Sequence, residues 1–191
     1  MNEIQEVIES YSISISEEEG RHLSSLITRQ TAKRKEIIFR QEEPCNHVIY
    51  LIEGITASVH TYEEKEVVTR FFQKGNFSTN IVSALNKGVA SDYLLAITDI
   101  VYFLIPFDVF IDSYLHSNTF GLFIRKKIIE HSIENKHFTT IKTFTDTKMR
   151  YQFLERNYPQ VIKETPAKYI AKFLGLTPEG YSRFLSKRRN S

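Results

Sequence analysis

The residues best equipped to meet a charged partner lie at the end of the chain. Thr165-Pro166 opens AKYIAKFLG, in which Tyr169, Ile170, Phe173 and Leu174 recur at helical spacing. Gly175 follows where a helix end wants a left-handed residue. Leu176 then reads as a buried turn residue, Thr177 as the cap of a second helix and Pro178 as its first position. Tyr181, Phe184 and Leu185 fall on one face of that helix, leaving Glu179, Ser182, Arg183 and Lys187 on the other. A helix, a short turn with glycine and a second helix with a polar, basic free face is an arrangement that reads DNA. Lys187, Arg188 and Arg189 add cations suited to phosphates, which position a reader without reading sequence.

Charge is distributed to match. Residues 148–191 carry ten Lys/Arg against three Asp/Glu, whereas residues 1–147 carry fifteen against twenty, so the net charge of +2 conceals a basic segment beneath an acidic body. That is the footprint of a nucleic-acid module, although a solvated basic tail would show the same charge.

Other chemistries find little support. The six histidines include no H-x-H pair, and only His47 and His60 lie in strand-like runs, so a cupin-type metal site is the weaker alternative. The motifs G-x-x-x-x-G-K-[ST], G-x-G-x-x-G and G-x-S-x-G are absent, and nothing argues for an enzyme. The single Cys45 reads as a strand-edge residue; it cannot form an internal disulfide, which fits a reducing cytoplasm, nor hold an iron–sulfur cluster of the four-thiolate kind. No cofactor or metal is expected. No apolar run is long enough to span a bilayer, and the acidic, polar start argues against a secretory signal.

The elements that must carry the reader change character along the chain. The first forty residues read as helices, with Ser16-Glu17-Glu18-Glu19 as a capping box and Leu23, Leu26 and Ile27 as an apolar stripe. Between Glu36 and Pro106 the runs EIIFRQ, HVIYLIEG, ITASVHTY, EVVTRFF, YLLAI and IVYFLI predict six strands in a small barrel or jelly roll. Pro106 opens a helix, and a longer helical pattern runs from Ser117-Asn118 to about Phe144. Within it Ile124, Ile128, His131, Asn135 and Phe138 step by four, three, four and three residues, the spacing of a coiled-coil seam in which Asn135 fixes register. A helix packed on its own barrel is the competing explanation; the dimer seam is favoured because His131 and Asn135 sit awkwardly in a monomer's core. The fold class is therefore α+β: an antiparallel β-roll with flanking helices (1–116), a dimerisation helix (117–146) and an all-α helix-turn-helix domain (147–191).

This order of parts resembles the Crp/Fnr transcriptional regulators over almost the whole chain. The most specific pieces are VIYLIEGITASVHTY, the strand–Glu-Gly–strand signature of cyclic-nucleotide-binding folds, and YIAKFLGLTPEGYSRFLSK in the helix-turn-helix. The resemblance implies a homodimer on a palindromic double-stranded DNA site, RNA polymerase as a further partner and a small-molecule effector of unknown identity. It also implies that Glu179 and Arg183 reach bases, a pairing suited to cytosine N4 and guanine O6/N7. The family's phosphate-binding cassette falls at GNFSTNIVSALNKGVASDYLLA, but Ser78-Thr79 stand where Gly-Glu is expected and Ala90-Ser91 where Arg-Ser is expected. A cyclic phosphate would lose its guanidinium and the ribose its carboxylate, so tight cAMP or cGMP binding is not expected. Ser78, Thr79, Asn80 and Ser91 remain to hydrogen-bond something small. Pro178 replaces a residue that is often a base-contacting arginine, Gly180 weakens its helix, and the β-wing of winged versions is not expected. These departures keep open a ligand-sensing or protein-interaction module that has the fold without specific DNA binding.

Overall fold

A computed structural model describes residues 3–189, with side chains as far as Arg188. Two short helices lead, α1 (Glu3–Glu9) and α2 (Glu17–Leu26). Ser16 caps α2 as its sequence predicts, its hydroxyl accepting from Glu19 N at 3.2 Å, but the Glu19 side chain accepts from Ser117 Oγ instead of reaching back.

The strands follow: β1 (Thr28–Ala32), β2 (Ile37–Phe39), β3 (His47–Glu53), β4 (Ile55–Tyr62), β5 (Lys65–Gln73) and β6 (Phe77–Ser78), then helix α3 (Ile81–Asn86), β7 (Tyr93–Ala96) and β8 (Ile100–Pro106). They form two four-stranded antiparallel sheets in the orders β1-β8-β3-β6 and β2-β7-β4-β5. The fold class is the expected antiparallel β-roll with flanking helices. Two strands escaped the pattern, and β1 corrects the expectation of helix through the first forty residues. Its TRQTA is polar because four of its five residues are exposed at a sheet edge.

Each sheet is sandwiched, which explains its composition. On β3, Ile49 and Leu51 face the second sheet, while Val48 and Tyr50 face the helices. A strand buried on both faces must read as the near-continuous apolar run HVIYLIE. Beyond the barrel come α4 (Phe107–His116), α5 (Phe120–Thr143), α6 (Thr147–Asn157), α7 (Pro159–Glu164), α8 (Ala167–Leu174) and α9 (Pro178–Arg189). The six-residue α7 is an addition to the predicted C-terminal helices. The first half of α5 packs with α1, α2 and α4 over the β3/β8 sheet, and its end joins α6–α9 over the β4/β5/β7 sheet. One apolar cluster therefore runs from the barrel into the helix-turn-helix, where Phe173 of α8 lies 5.3 Å from Phe71 of β5 and 5.8 Å from Phe138 of α5, ring centre to ring centre. Among the described residues no helix is long and apolar enough to cross a membrane.

Candidate nucleic-acid interface and effector pocket

The helix-turn-helix is locally specified. Gly175 ends α8 with φ +71°, a left-handed backbone that glycine adopts without strain. The Thr177 hydroxyl accepts from Gly180 N at 3.0 Å, capping α9. A Cβ at position 180 would stand 3.2 Å from that hydroxyl, so the glycine that weakens the helix also clears its cap. Tyr181 is buried and Phe184 and Leu185 are half-buried against the shared core. Thr177, Glu179, Ser182, Arg183 and Lys187 are all exposed on the outer side, as their spacing predicts. Arg188 is engaged within the chain: its guanidinium pairs with both carboxylate oxygens of Glu155 on α6, at 2.9 and 2.6 Å, and lies 4.7 Å from the centre of the Tyr151 ring. In this arrangement it braces α9 against α6 and stays partly exposed. The Arg189 side chain lies outside the described residues.

The same helices are tied to the barrel. Glu66 of β5 accepts from Lys172 of α8 and, at 2.7 Å, from the Tyr93 hydroxyl. These bonds hold its carboxyl below the usual carboxylate range.

The seam drawn through α5 divides differently in space. Ile124 and Phe138 are 0% and 4% exposed against their own barrel and C-terminal helices, so they cannot also meet a second copy. His131 is half-buried and Asn135 exposed, so neither sits in a core, and Arg70 of β5 rises to meet both. Its Nη1 donates to Asn135 Oδ1 and lies 3.1 Å from His131 Nε2, and its Nη2 donates to Glu134 at 3.0 Å. Ile128 keeps partial exposure at the margin. The outward apolar stripe is instead Leu122, Ile129 and Ile133, with Ile129 65% and Ile133 57% exposed. Spacings of seven and four residues keep these three on one face.

Arg70 is the residue that the sequence reading missed. It is 7% exposed, and its guanidinium lies 4.8 Å from the Phe72 ring centre and 5.3 Å from that of Phe138. Burial lowers its pKa, and Glu134 opposes that shift. Burial first, then the charges of Arg70 and Lys127, push the His131 imidazole down to about 4. The ring is therefore neutral at pH 7 and can accept from the guanidinium. Arg70, Lys127, His131 and Asn135 line a cavity of about 480 Å³ between barrel and α5, with Phe72, Phe77 and Ile128 among its apolar walls.

The cassette contributes less to this cavity than expected. Ser78 and Thr79 line it, but the Thr79 hydroxyl already donates to His47 O at 2.8 Å. Asn80 and Ser91 lie off its wall: Asn80 caps α3 through Ser83 N, and its amide donates to Ser91 Oγ at 3.2 Å. Cys45 is buried nearby with its N–H donating to Ser83 Oγ. Beside the position of the missing arginine stands a carboxylate. Asp92 accepts from Ser58 Oγ at 2.7 Å and Thr69 Oγ1 at 3.1 Å, and lies 3.2 Å from His60 Nδ1. Burial opposes its ionisation, yet these bonds hold it below the usual range. A carboxylate therefore stands at the end of this loop, next to Ser91. Among the described residues no group of three or more His, Cys, Asp or Glu is placed to hold a metal ion.

Comparisons place these elements among known folds. Residues 29–116 match the family model of the cyclic nucleotide-binding domain. No curated protein sequence matches the chain. In structure it is similar to CLP of Xanthomonas campestris, described as a c-di-GMP-responsive global regulator linking cell-cell signaling to virulence gene expression (TM-score 0.67, 15% identity, 89% of this chain and 90% of that one). It is similar to a CooA mutant from Carboxydothermus hydrogenoformans (0.66, 16%, covering 88% and 79%). It also resembles a transcriptional regulator of the CRP family from Thermus thermophilus (0.66, 15%, covering 84% and 84%). At these identities the likeness is one of fold.

Proposed function

We propose that this chain is a homodimeric, sequence-specific DNA-binding transcriptional regulator of the Crp/Fnr type, with α9 as its reading helix. The observation that carries the reading is the exposed face of Glu179, Ser182 and Arg183, on a helix whose opposite face is anchored in the core. In a major groove, Arg183 would meet guanine O6/N7, Glu179 cytosine N4, and Thr177 and Lys187 the flanking backbone. The fold shared with a CRP-family regulator supports the same docking.

The second copy would sit on the outer stripe of Leu122, Ile129 and Ile133, so that two α9 helices enter successive major grooves of a palindromic site. The effector side departs from cyclic-nucleotide binding, because the cassette is internally bonded and Asp92 borders it.

Selection from random duplexes tests the DNA reading, with enrichment of a palindromic site expected. Absence of any site enriched above bulk DNA, in a protein that sediments as a dimer, would favour an interaction module instead. Substituting Ile129 and Ile133 by Glu should convert the dimer to monomer in sedimentation equilibrium. A dimer that survives both changes would place the interface elsewhere.

A further inference from the structure

The cavity between barrel and α5 contains a charge arrangement that its cassette does not explain. Arg70 enters from β5 and is buried, whereas its counter-ion Glu134 comes from α5 and its side chain is 25% exposed. Asn76 also donates to both Glu134 oxygens, at 3.2 and 3.1 Å. The two halves of the pair are thus unequal. Glu134 can turn its carboxylate to water if it is displaced, but Arg70 has no such exit and needs an anion wherever α5 goes. The second buried cation, Lys127, is engaged by Glu130 at 2.5 Å and the Tyr11 hydroxyl at 3.1 Å, which leaves Arg70 as the forked donor of this cavity. A guanidinium fork matches the two oxygens of a carboxylate.

Val48, Phe72, Phe77, Ile81, Phe110 and Ile128 supply the cavity's apolar walls; Ser58, Thr69, Ser78 and Thr79 line it too, but the Ser58 and Thr69 hydroxyls already donate to Asp92 and that of Thr79 to His47 O. Its volume of about 480 Å³ accommodates a small organic molecule. A ribose phosphate would find few of its hydroxyls answered there, whereas an aryl or alkyl chain would find matching walls.

We propose that this pocket takes a small organic carboxylate with an apolar body, which occupies Arg70 in place of Glu134 and so releases the tie between β5 and α5. Because α5 also bears the outer stripe and leads into the helix-turn-helix, exchange of the counter-ion biases how the reader is held. The inference deepens the effector half of the proposed regulator. Its test uses no DNA, so either half can fail alone.

The experiment is calorimetry on the full chain with a panel of phenyl- and alkyl-carboxylates, each matched by its primary amide. At least one carboxylate should bind about tenfold or more tightly than its amide. Glu134→Gln, which removes the competing charge, should tighten that carboxylate by about tenfold. Arg70→Met should abolish its binding, with circular dichroism checking that the variant is folded; Arg70→Lys, which keeps charge but not the fork, should weaken it. Amides that bind as tightly as carboxylates would overturn the proposal. So would a Glu134→Gln protein that binds no panel member, or one with unchanged affinities.

Discussion

The two surfaces that a partner would meet handle charge in opposite ways. In the barrel pocket and beside it the prominent charges are answered from within: Arg70 by Glu134, Lys127 by Glu130, and neighbouring Asp92 by Ser58, Thr69 and His60. On α9 the polar groups of Glu179, Ser182 and Arg183 are held out from the core on an exposed face. A surface that keeps its charges solvated is prepared for a large charged partner, since binding leaves no buried ion behind. In the proposed regulator, a charged ligand of the paired pocket replaces one of the partners. On that proposal the contrast separates a reader from a switch.

The two regions join at Phe173. Phe173 packs between Phe71 and Phe138, so Phe173→Ala should destabilise the chain by about 3–5 kcal/mol. Chemical denaturation checks this; a loss of well under 1 kcal/mol would mean that the reader is not seated on the barrel. Next comes acid sensitivity. The native His131 ring titrates near 4 and an ordinary one near 6.5, so the unfolded chain binds more protons between those values. Stability is then full above the higher value and falls as the pH drops towards the lower one, by roughly 2 kcal/mol for a partly screened ring. His131→Gln should flatten that slope. An identical slope in the variant would remove His131 from the Arg70 network.

Arg188→Ala should cost at most about 1 kcal/mol of stability, because its pair with Glu155 is partly exposed. It should leave the salt dependence of DNA binding unchanged. A salt slope reduced by about one would return Arg188 to a phosphate.

How much of this was legible in the sequence follows from how local each feature is. The helix-turn-helix announces itself because Gly175, Thr177 and Pro178 act on their own backbone, and their roles hold in space. The long strands were legible from β-branched runs. β1 was not, because an exposed edge strand such as TRQTA lacks an apolar face, and β6 is two residues long. The faces of α5 could not be sorted either. That helix is apolar both where it meets its barrel, through Ile124 and Phe138, and where it faces outward, through Ile129 and Ile133, so spacing alone fits two stripes. Arg70 sits sixty-odd residues from its partners, a pairing that only tertiary structure creates. An arginine sharing a strand face with Phe72 was the available signal.

Wild type and Arg183→Ala, compared on the selected palindromic duplex and on bulk DNA at one salt concentration, test α9 as the reading helix. The variant should lose about 1–3 kcal/mol on the selected site, relax its preference at one base pair and keep its affinity for bulk DNA. Unchanged affinity and preference on the selected site would contradict that role, because α9 would then not be the helix in the groove.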